Sequence, residues 1–125
     1  MQTREIPINE WRPFLDQFSQ SHLGEKVTVK IMGPDIGEQT EMRNLPLVGI
    51  TADTKDSDGE RIDVSAGDTP RSQVTHAVIH PSHVRLAEDD EGHAIAMQIE
   101  SADGPVTLVR FNQQPQELPE GFLSA

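Results

Sequence analysis

The chain has 125 residues, 34% of them hydrophobic and 4% aromatic, so we expect one domain with a mainly aliphatic core. Ten Lys and Arg residues against 21 Asp and Glu residues give a formal net charge of −11, which argues against nucleic acid and anionic membranes as partners. There is no cysteine, which excludes disulfides, thiolate zinc sites and a cysteine nucleophile.

The sequence also lacks the patterns of membrane insertion and export. No stretch approaches the roughly 18 apolar residues of a membrane span, and the N-terminus has no apolar run typical of a signal peptide. Together with the absence of cysteine, these patterns predict a cytoplasmic protein.

One helix is predicted, over residues 9–23. Asn9 is a suitable N-cap, Ile8 stands at the hydrophobic-staple position, and Gly24 follows as a helix stop. Apolar side chains recur at helical spacing at Trp11, Phe14, Leu15 and Phe18. We expect this stripe to be buried against a sheet, and a helix exposed for partner binding is the alternative.

Beyond Gly24, an alternation of period two predicts about seven strands. The register of hydrophobic residues flips beside Gly49, which predicts a bulge or sharp bend. Asp103-Gly104 is typical of a hairpin turn. The predicted strands cover residues 27–32, 45–52, 61–66, 74–79, 84–87, 95–100 and 106–111.

The segment 74–87 predicts two strands joined at a corner. β-Branched residues crowd the part before Ile79, and Pro81 removes a backbone donor and fixes φ, so the chain must bend there. A strand that turns a corner and continues is how small barrels close. The fold class is therefore α+β: one N-terminal helix followed by a strongly bent, mostly antiparallel sheet, resembling an Sm-like or SH3-like small barrel with an extra C-terminal hairpin.

The predicted domain covers residues 1–112. Residues 113–125, with Pro115, Pro119 and Gly121, are expected to form an irregular tail pinned by Phe122 and Leu123. The segment Asp56-Ser-Asp-Gly59 is predicted to be a turn, because it lacks the glycine register and distal glutamate of a calcium loop.

His76, His80 and His83 are the candidate metal ligands. His76 and His80 would lie about 13 Å apart on an extended strand, too far for one metal ion, whose ligand nitrogens must each lie about 2.1 Å from it. Only a bend at Pro81 could bring His80 and His83 together. The alternative is that His76 lies on a half-buried sheet face and the other two occupy a solvated corner.

No catalytic or cofactor motif is present. The sequence has no G-x-S-x-G, no G-x-G-x-x-G and no P-loop, so we name no catalytic residue and expect no cofactor. An enzyme is not excluded by this, but nothing in the sequence supports one.

Several segments, in order along the chain, resemble a family of small bacterial proteins of unknown function. The resemblance covers roughly residues 1–112 and implies a single intact domain in a bacterial protein, with no activity, cofactor or site residue to carry over. The matching segments are Met1-Gln-Thr-Arg-Glu-Ile-Pro7, Glu10-Trp-Arg-Pro-Phe-Leu15, Phe18-Ser19, Gly33-Pro-Asp-Ile-Gly37, Leu45-Pro-Leu47, Gly49-Ile-Thr-Ala-Asp53 and Ile99-Glu-Ser-Ala-Asp-Gly104.

The leading functional hypothesis is a non-enzymatic module that assembles with itself or with another protein. A meander of strands leaves edges that must be covered or paired, which favours a homo-oligomer, in the simplest case a homodimer. The second hypothesis is a small-molecule-binding protein or a metal-assisted enzyme that uses the region of His76, His80 and His83.

Overall fold

The computed structural model describes residues 1–53, 60–112 and 122. No helix in these residues is long and apolar enough to cross a membrane. The predicted turn at 55–59 lies outside the described residues. The elements are the α-helix α1 Trp11–Ser21 and the strands β1 Gln2–Ile6, β2 Lys26–Gly33, β3 Gly37–Asp53, β4 Arg61–Ala66, β5 Val74–Ile79, β6 Pro81–Glu88, β7 Ala94–Ser101 and β8 Val106–Phe111, with 3-10 turns at Ile8–Glu10 and Pro70–Ser72.

The eight strands form one antiparallel sheet in the order β1-β6-β7-β8-β2-β3-β4-β5. The mostly antiparallel sheet and its N-terminal helix are thus confirmed. Within the described ranges, β1 pairs only with β6 and β5 only with β4, so the sheet is not closed and the resemblance to a small barrel is not confirmed. β1 was not predicted: four of its five residues are exposed, and such a strand shows no hydrophobic alternation.

Two local distortions bend the sheet where the sequence predicted them. The β3–β4 pairing shifts register between Leu47 and Gly49, which confirms the predicted bulge. At the corner between β5 and β6, His80 takes a left-handed φ of 54°, and Pro81 begins β6. The long strand β3 pairs with β2 along its first half and with β4 along its second half, and the register shift lies where the second pairing begins.

Helix α1 begins later than predicted. Its N-cap is Glu10, which makes no side-chain capping bond, and Ile8 is 56% exposed, so the predicted cap at Asn9 and staple at Ile8 are wrong. The physical reason is that a 3-10 turn at Ile8–Glu10 leads into the helix and takes the place of a side-chain cap. Gly24, with φ +85°, follows the helix end as expected.

The apolar stripe of α1 packs on the inner face of the sheet. Trp11, Leu15 and Phe18 are buried in the main core, as predicted. Phe14 is only half-buried at the margin of that core, so the expectation that the whole stripe is buried is wrong for this residue. Its ring stacks on Phe18 with centroids 5.7 Å apart, and its outer side faces a cleft.

Ser19 fastens α1 to the second half of β3, on the side opposite β4, where no strand in the described part of the chain pairs with it. The Ile50 backbone N–H donates to Ser19 Oγ at 2.8 Å, and Ser19 Oγ lies 2.7 Å from the Leu15 carbonyl and 2.9 Å from the Ile50 carbonyl. Ile50 pairs with Val64 of β4 on its other side. The helix thus covers a strand edge that would otherwise be exposed to other chains.

We expect Ser19→Ala to lower the free energy of unfolding by about 1–3 kcal/mol, because the Ile50 N–H loses its acceptor in a largely buried place. Urea denaturation measures this loss. Ser21→Ala, the same change at an exposed position near the end of the helix, is the control and should cost about 0.5 kcal/mol or less. Equal losses for the two variants would show that the Ser19 contact does not hold the helix.

β7 and β8 are buried on both faces of the sheet, whereas a strand at the surface is buried on one face only. The outer face carries a small second cluster in which Phe122 packs with Ala96 and Leu108. Gln98, fully buried, donates from Nε2 to the Phe122 carbonyl at 2.7 Å. The predicted pinning of the tail is confirmed for Phe122, and the rest of 113–125 lies outside the described residues.

Candidate functional site

The two edges of the sheet differ in charge. β1 carries Arg4, whose Nε lies 3.0 Å from Glu88 Oε1, and Glu5, whose pKa is lowered chiefly by its hydrogen bond with His83. Charged side chains on an edge strand oppose pairing with another chain. β5 has no Asp, Glu, Lys or Arg along its whole length. The β5 edge is therefore the one that is chemically open to pairing.

The phase of the β4–β5 ladder shows which backbone groups of β5 are free. The His80 N–H donates to the Glu60 carbonyl at 3.2 Å, at the position that continues the β4–β5 register. In an antiparallel pair, alternate residues direct their backbone groups towards the partner strand and away from it. The N–H and C=O groups of Thr75, Ala77 and Ile79 therefore point away from β4.

The far side of β5 supports this assignment. The Ile79 carbonyl accepts a hydrogen bond of 2.8 Å from Ser101 Oγ, a group that is not on β4. For Thr75 and Ala77, no strand in the described part of the chain pairs with β5 on that side. These two residues present a short backbone template for an added strand.

A groove of about 290 Å³ lies along this free edge. One wall is formed by residues 76–79 of β5, and the other by the β7–β8 turn, the start of β8 and Ile36 from the turn between β2 and β3. Ile36 and Ile79 are 43% and 46% exposed, so the groove is apolar and open. Its volume is just below the ~300–1,000 Å³ of small-molecule pockets, and it suits the side chains of an added strand better than a whole cofactor.

His76 lies in this groove and reaches across it. Its Nε2 is 3.1 Å from Thr107 Oγ1 on β8, and the residue is half-buried, as one reading of the sequence expected. Burial lowers the pKa of His76 below its ordinary value of 6.5, against the opposing effect of the carboxylates of Glu41 and Asp63. The lowered pKa favours the neutral form of the imidazole, which hydrogen-bonds to Thr107.

This burial predicts a loss of stability on acidification. Because the folded-state pKa of His76 lies below its unfolded-state value, the unfolded chain binds more protons as the pH falls from about 8 to about 6, and unfolding becomes easier. Denaturant midpoints at the two pH values should show this contribution in the native chain and not in His76→Gln. If both proteins change equally with pH, His76 does not carry the effect.

The other two candidate histidines engage different partners. His80, at the corner, has its Nδ1 3.0 Å from Asp103 Oδ2, and its carbonyl accepts from the Ala102 N–H at 2.8 Å. His83, further along β6, has its Nδ1 2.8 Å from Glu5 Oε2 on β1. His80 thus contacts the β7–β8 turn through Asp103, whereas His83 contacts β1 at the opposite edge of the sheet.

The three histidines are therefore not brought together into one constellation. His22 and His93 also place Nδ1 beside carboxylates, Glu25 at 2.6 Å and Asp89 at 3.2 Å. Among the described residues, no group of three or more His, Asp or Glu is arranged to hold a metal ion. The metal hypothesis for His76, His80 and His83 stays a prediction.

A second cavity of about 250 Å³ lies between α1 and the β6–β7 end of the sheet. Phe14, Phe18 and Leu86 give it an apolar floor. At its rim the Arg4 guanidinium lies 5.4 Å from the centre of the Phe14 ring, beside Glu88. An apolar floor with a polar rim can hold a small amphipathic molecule.

Most of the residues that form the β5 groove carry no sequence pattern that marks them as a site. Ile36 and Asp103 belong to predicted turns, and Thr107 belongs to a predicted strand. Their proximity depends on the packing of β5 against the β7–β8 hairpin, which no local pattern encodes. The one available signal is the uncharged run of β5, and it becomes informative only when the topology makes β5 an edge.

Comparisons with known proteins identify a family for the chain but no activity. Residues 2–121 match the model of a family described as "Family of unknown function (DUF5335)". An uncharacterized protein of Aquifex aeolicus (strain VF5) is 24% identical over 111 residues, which cover 89% of this chain and 93% of that protein. No solved structure gives a significant match. The predicted resemblance is thereby confirmed, and the chain belongs to this family of unknown function.

Proposed function

We propose that the protein is a non-enzymatic protein-interaction module that receives an extended segment of chain along the free edge of β5. The observation that carries the proposal is an edge strand without Asp, Glu, Lys or Arg, whose Thr75 and Ala77 backbone groups point away from β4 and which forms one wall of an apolar groove. Adding a strand satisfies those groups and covers Ile36 and Ile79, which are exposed. The added strand comes from a second copy, as expected for a homo-oligomer, or from a different protein; the proposed location is the cytoplasm.

The backbone phase suggests a specific variant with which to test the proposal. Ala77→Pro removes an N–H that points away from β4, so the β4–β5 ladder keeps its bonds while strand addition loses a donor. The probe is a labelled peptide of alternating threonine and valine, measured by fluorescence anisotropy. We expect saturable binding to the native chain and a loss of about tenfold or more in Ala77→Pro.

Ile36→Ser tests the groove wall without altering the backbone. Leu23→Ser is its matched control, because Leu23 is also exposed and does not line the groove. We expect weaker peptide binding in Ile36→Ser and native binding in Leu23→Ser. Native affinity in both Ala77→Pro and Ile36→Ser would contradict strand addition at β5, and circular dichroism shows whether each variant is folded.

A small-molecule-binding function is the second candidate, and the cleft beside α1 favours it. Indole is a suitable probe, because its ring fits against Phe14 and Phe18 while its N–H can reach the polar rim. Saturable shifts of the amide resonances of Ser21 and Gly92 that disappear in Phe14→Ala would support this function. For the metal-assisted version, a stoichiometric transition metal in protein purified without a histidine tag is the required observation.

A further inference from the structure

The proposed strand-binding groove is set in a negatively charged part of the surface. Its described lining contains Asp103 and no Lys or Arg. The carboxylates of Glu41 and Asp63 act electrostatically on His76 inside it. Arg61, on the neighbouring strand β4, has its Nε 3.1 Å from Asp63 Oδ1, so its charge is offset by that carboxylate.

The same sign holds for the whole molecule, whose formal net charge is −11. Two copies that approach each other through this edge would bring like charges together, and β5 itself carries no Lys or Arg to offset them. A segment with basic side chains meets an attractive field from both the groove and the rest of the surface. Charge complementarity therefore distinguishes between the two sources of an added strand.

Accepting strand addition at β5, we infer that the occupant of the groove is an extended, basic segment of another protein, with Lys or Arg alternating with aliphatic residues. Side chains of an added strand point alternately to the two faces of the sheet. The aliphatic residues then lie in the groove against Ile36 and Val78. The basic residues lie on the opposite face of the sheet. On that face the small Ala77 leaves room for them, and its cross-strand partner on β4 is the acidic Asp63.

Three labelled peptides test the inference: one alternating lysine with valine, one alternating glutamate with valine, and the threonine–valine peptide. At low ionic strength we expect the lysine peptide to bind the native chain roughly tenfold or more tightly than the glutamate peptide, with a difference that shrinks as salt is added. Asp63→Asn, on the face where the basic residues lie, should reduce that preference. Asp16→Asn, the same change on the exposed face of α1, should leave it unchanged.

The outcomes separate this inference from the proposed function. Binding of all three peptides with equal affinity would overturn the basic partner and leave strand addition standing. Binding of none would overturn both. A dimer in light scattering that Ala77→Pro converts to a monomer, without preference for the lysine peptide, would identify a second copy as the occupant and overturn the inference.

Discussion

Trp11→Ala is expected to lower the free energy of unfolding by roughly 3–5 kcal/mol. The Trp11 side chain is 1% exposed in the main core, so its removal leaves a large cavity. Its Nε1–H also donates to the Ile6 carbonyl at 2.9 Å and so ties the first turn of α1 to the end of β1. Urea denaturation followed by circular dichroism measures the loss, which is a large share of the stability of a small domain.

Phe14→Ala is the matched variant on the same helix. Because Phe14 is half-buried and one side of its ring faces a cleft, we expect its loss to be about 1–2 kcal/mol, well below that of Trp11→Ala. A loss from Phe14→Ala that equals the loss from Trp11→Ala would mean that the cleft is closed in solution.

Gly67→Ala is expected to cost roughly 3 kcal/mol or more, although it adds a single methyl group. Gly67 follows β4 with a φ of +153°, a backbone conformation that L side chains rarely adopt. A Cβ there would lie 2.6 Å from the Ser72 carbonyl oxygen and 2.7 Å from Gln73 Cα. Both neighbours are backbone atoms, so the connection between β4 and β5 must shift to make room.

Two other glycines separate the causes of this loss. Gly24 has a positive φ of +85° and open space around it, so Gly24→Ala measures backbone strain alone, about 1–2 kcal/mol. For Gly49→Ala the nearest atoms lie 3.8 and 3.9 Å away, and we expect a change below about 1 kcal/mol. The order Gly67 above Gly24 above Gly49 in thermal or urea denaturation is the expected result, and any other order contradicts the steric account.

The parts of the fold that were predicted correctly depend on local chemistry. The bulge beside Gly49 follows from a change of hydrophobic parity, and the corner before Pro81 follows from a missing N–H and a fixed φ. β1 was missed because its register is set by β6, far along the chain, and not by its own residues. The start of α1 was misplaced because a 3-10 turn competes with side-chain capping there.

The candidate site was predictable only in part, for a different reason. The half-burial of His76 followed from its position on one face of a strand. The closing of the groove by Thr107, Ile36 and Asp103 depends on how two distant hairpins pack, and sequence distance carries no information about that. The sequence also could not predict that the sheet is open, because an open sheet and a barrel have the same pattern of strands along the chain.

The position of β2 in the sheet has a consequence for how the chain reaches this structure. β2 lies between β3, its neighbour in sequence, and β8, so Met32 stands in register with Val106 and Val27 with Phe111. The β2–β3 hairpin can form early from local contacts, but its second edge must wait for a strand that lies most of the chain away. Until that long loop closes, β2 is an unprotected edge, so folding should be slow for a domain of this size, and the half-folded chain is the form most exposed to aggregation.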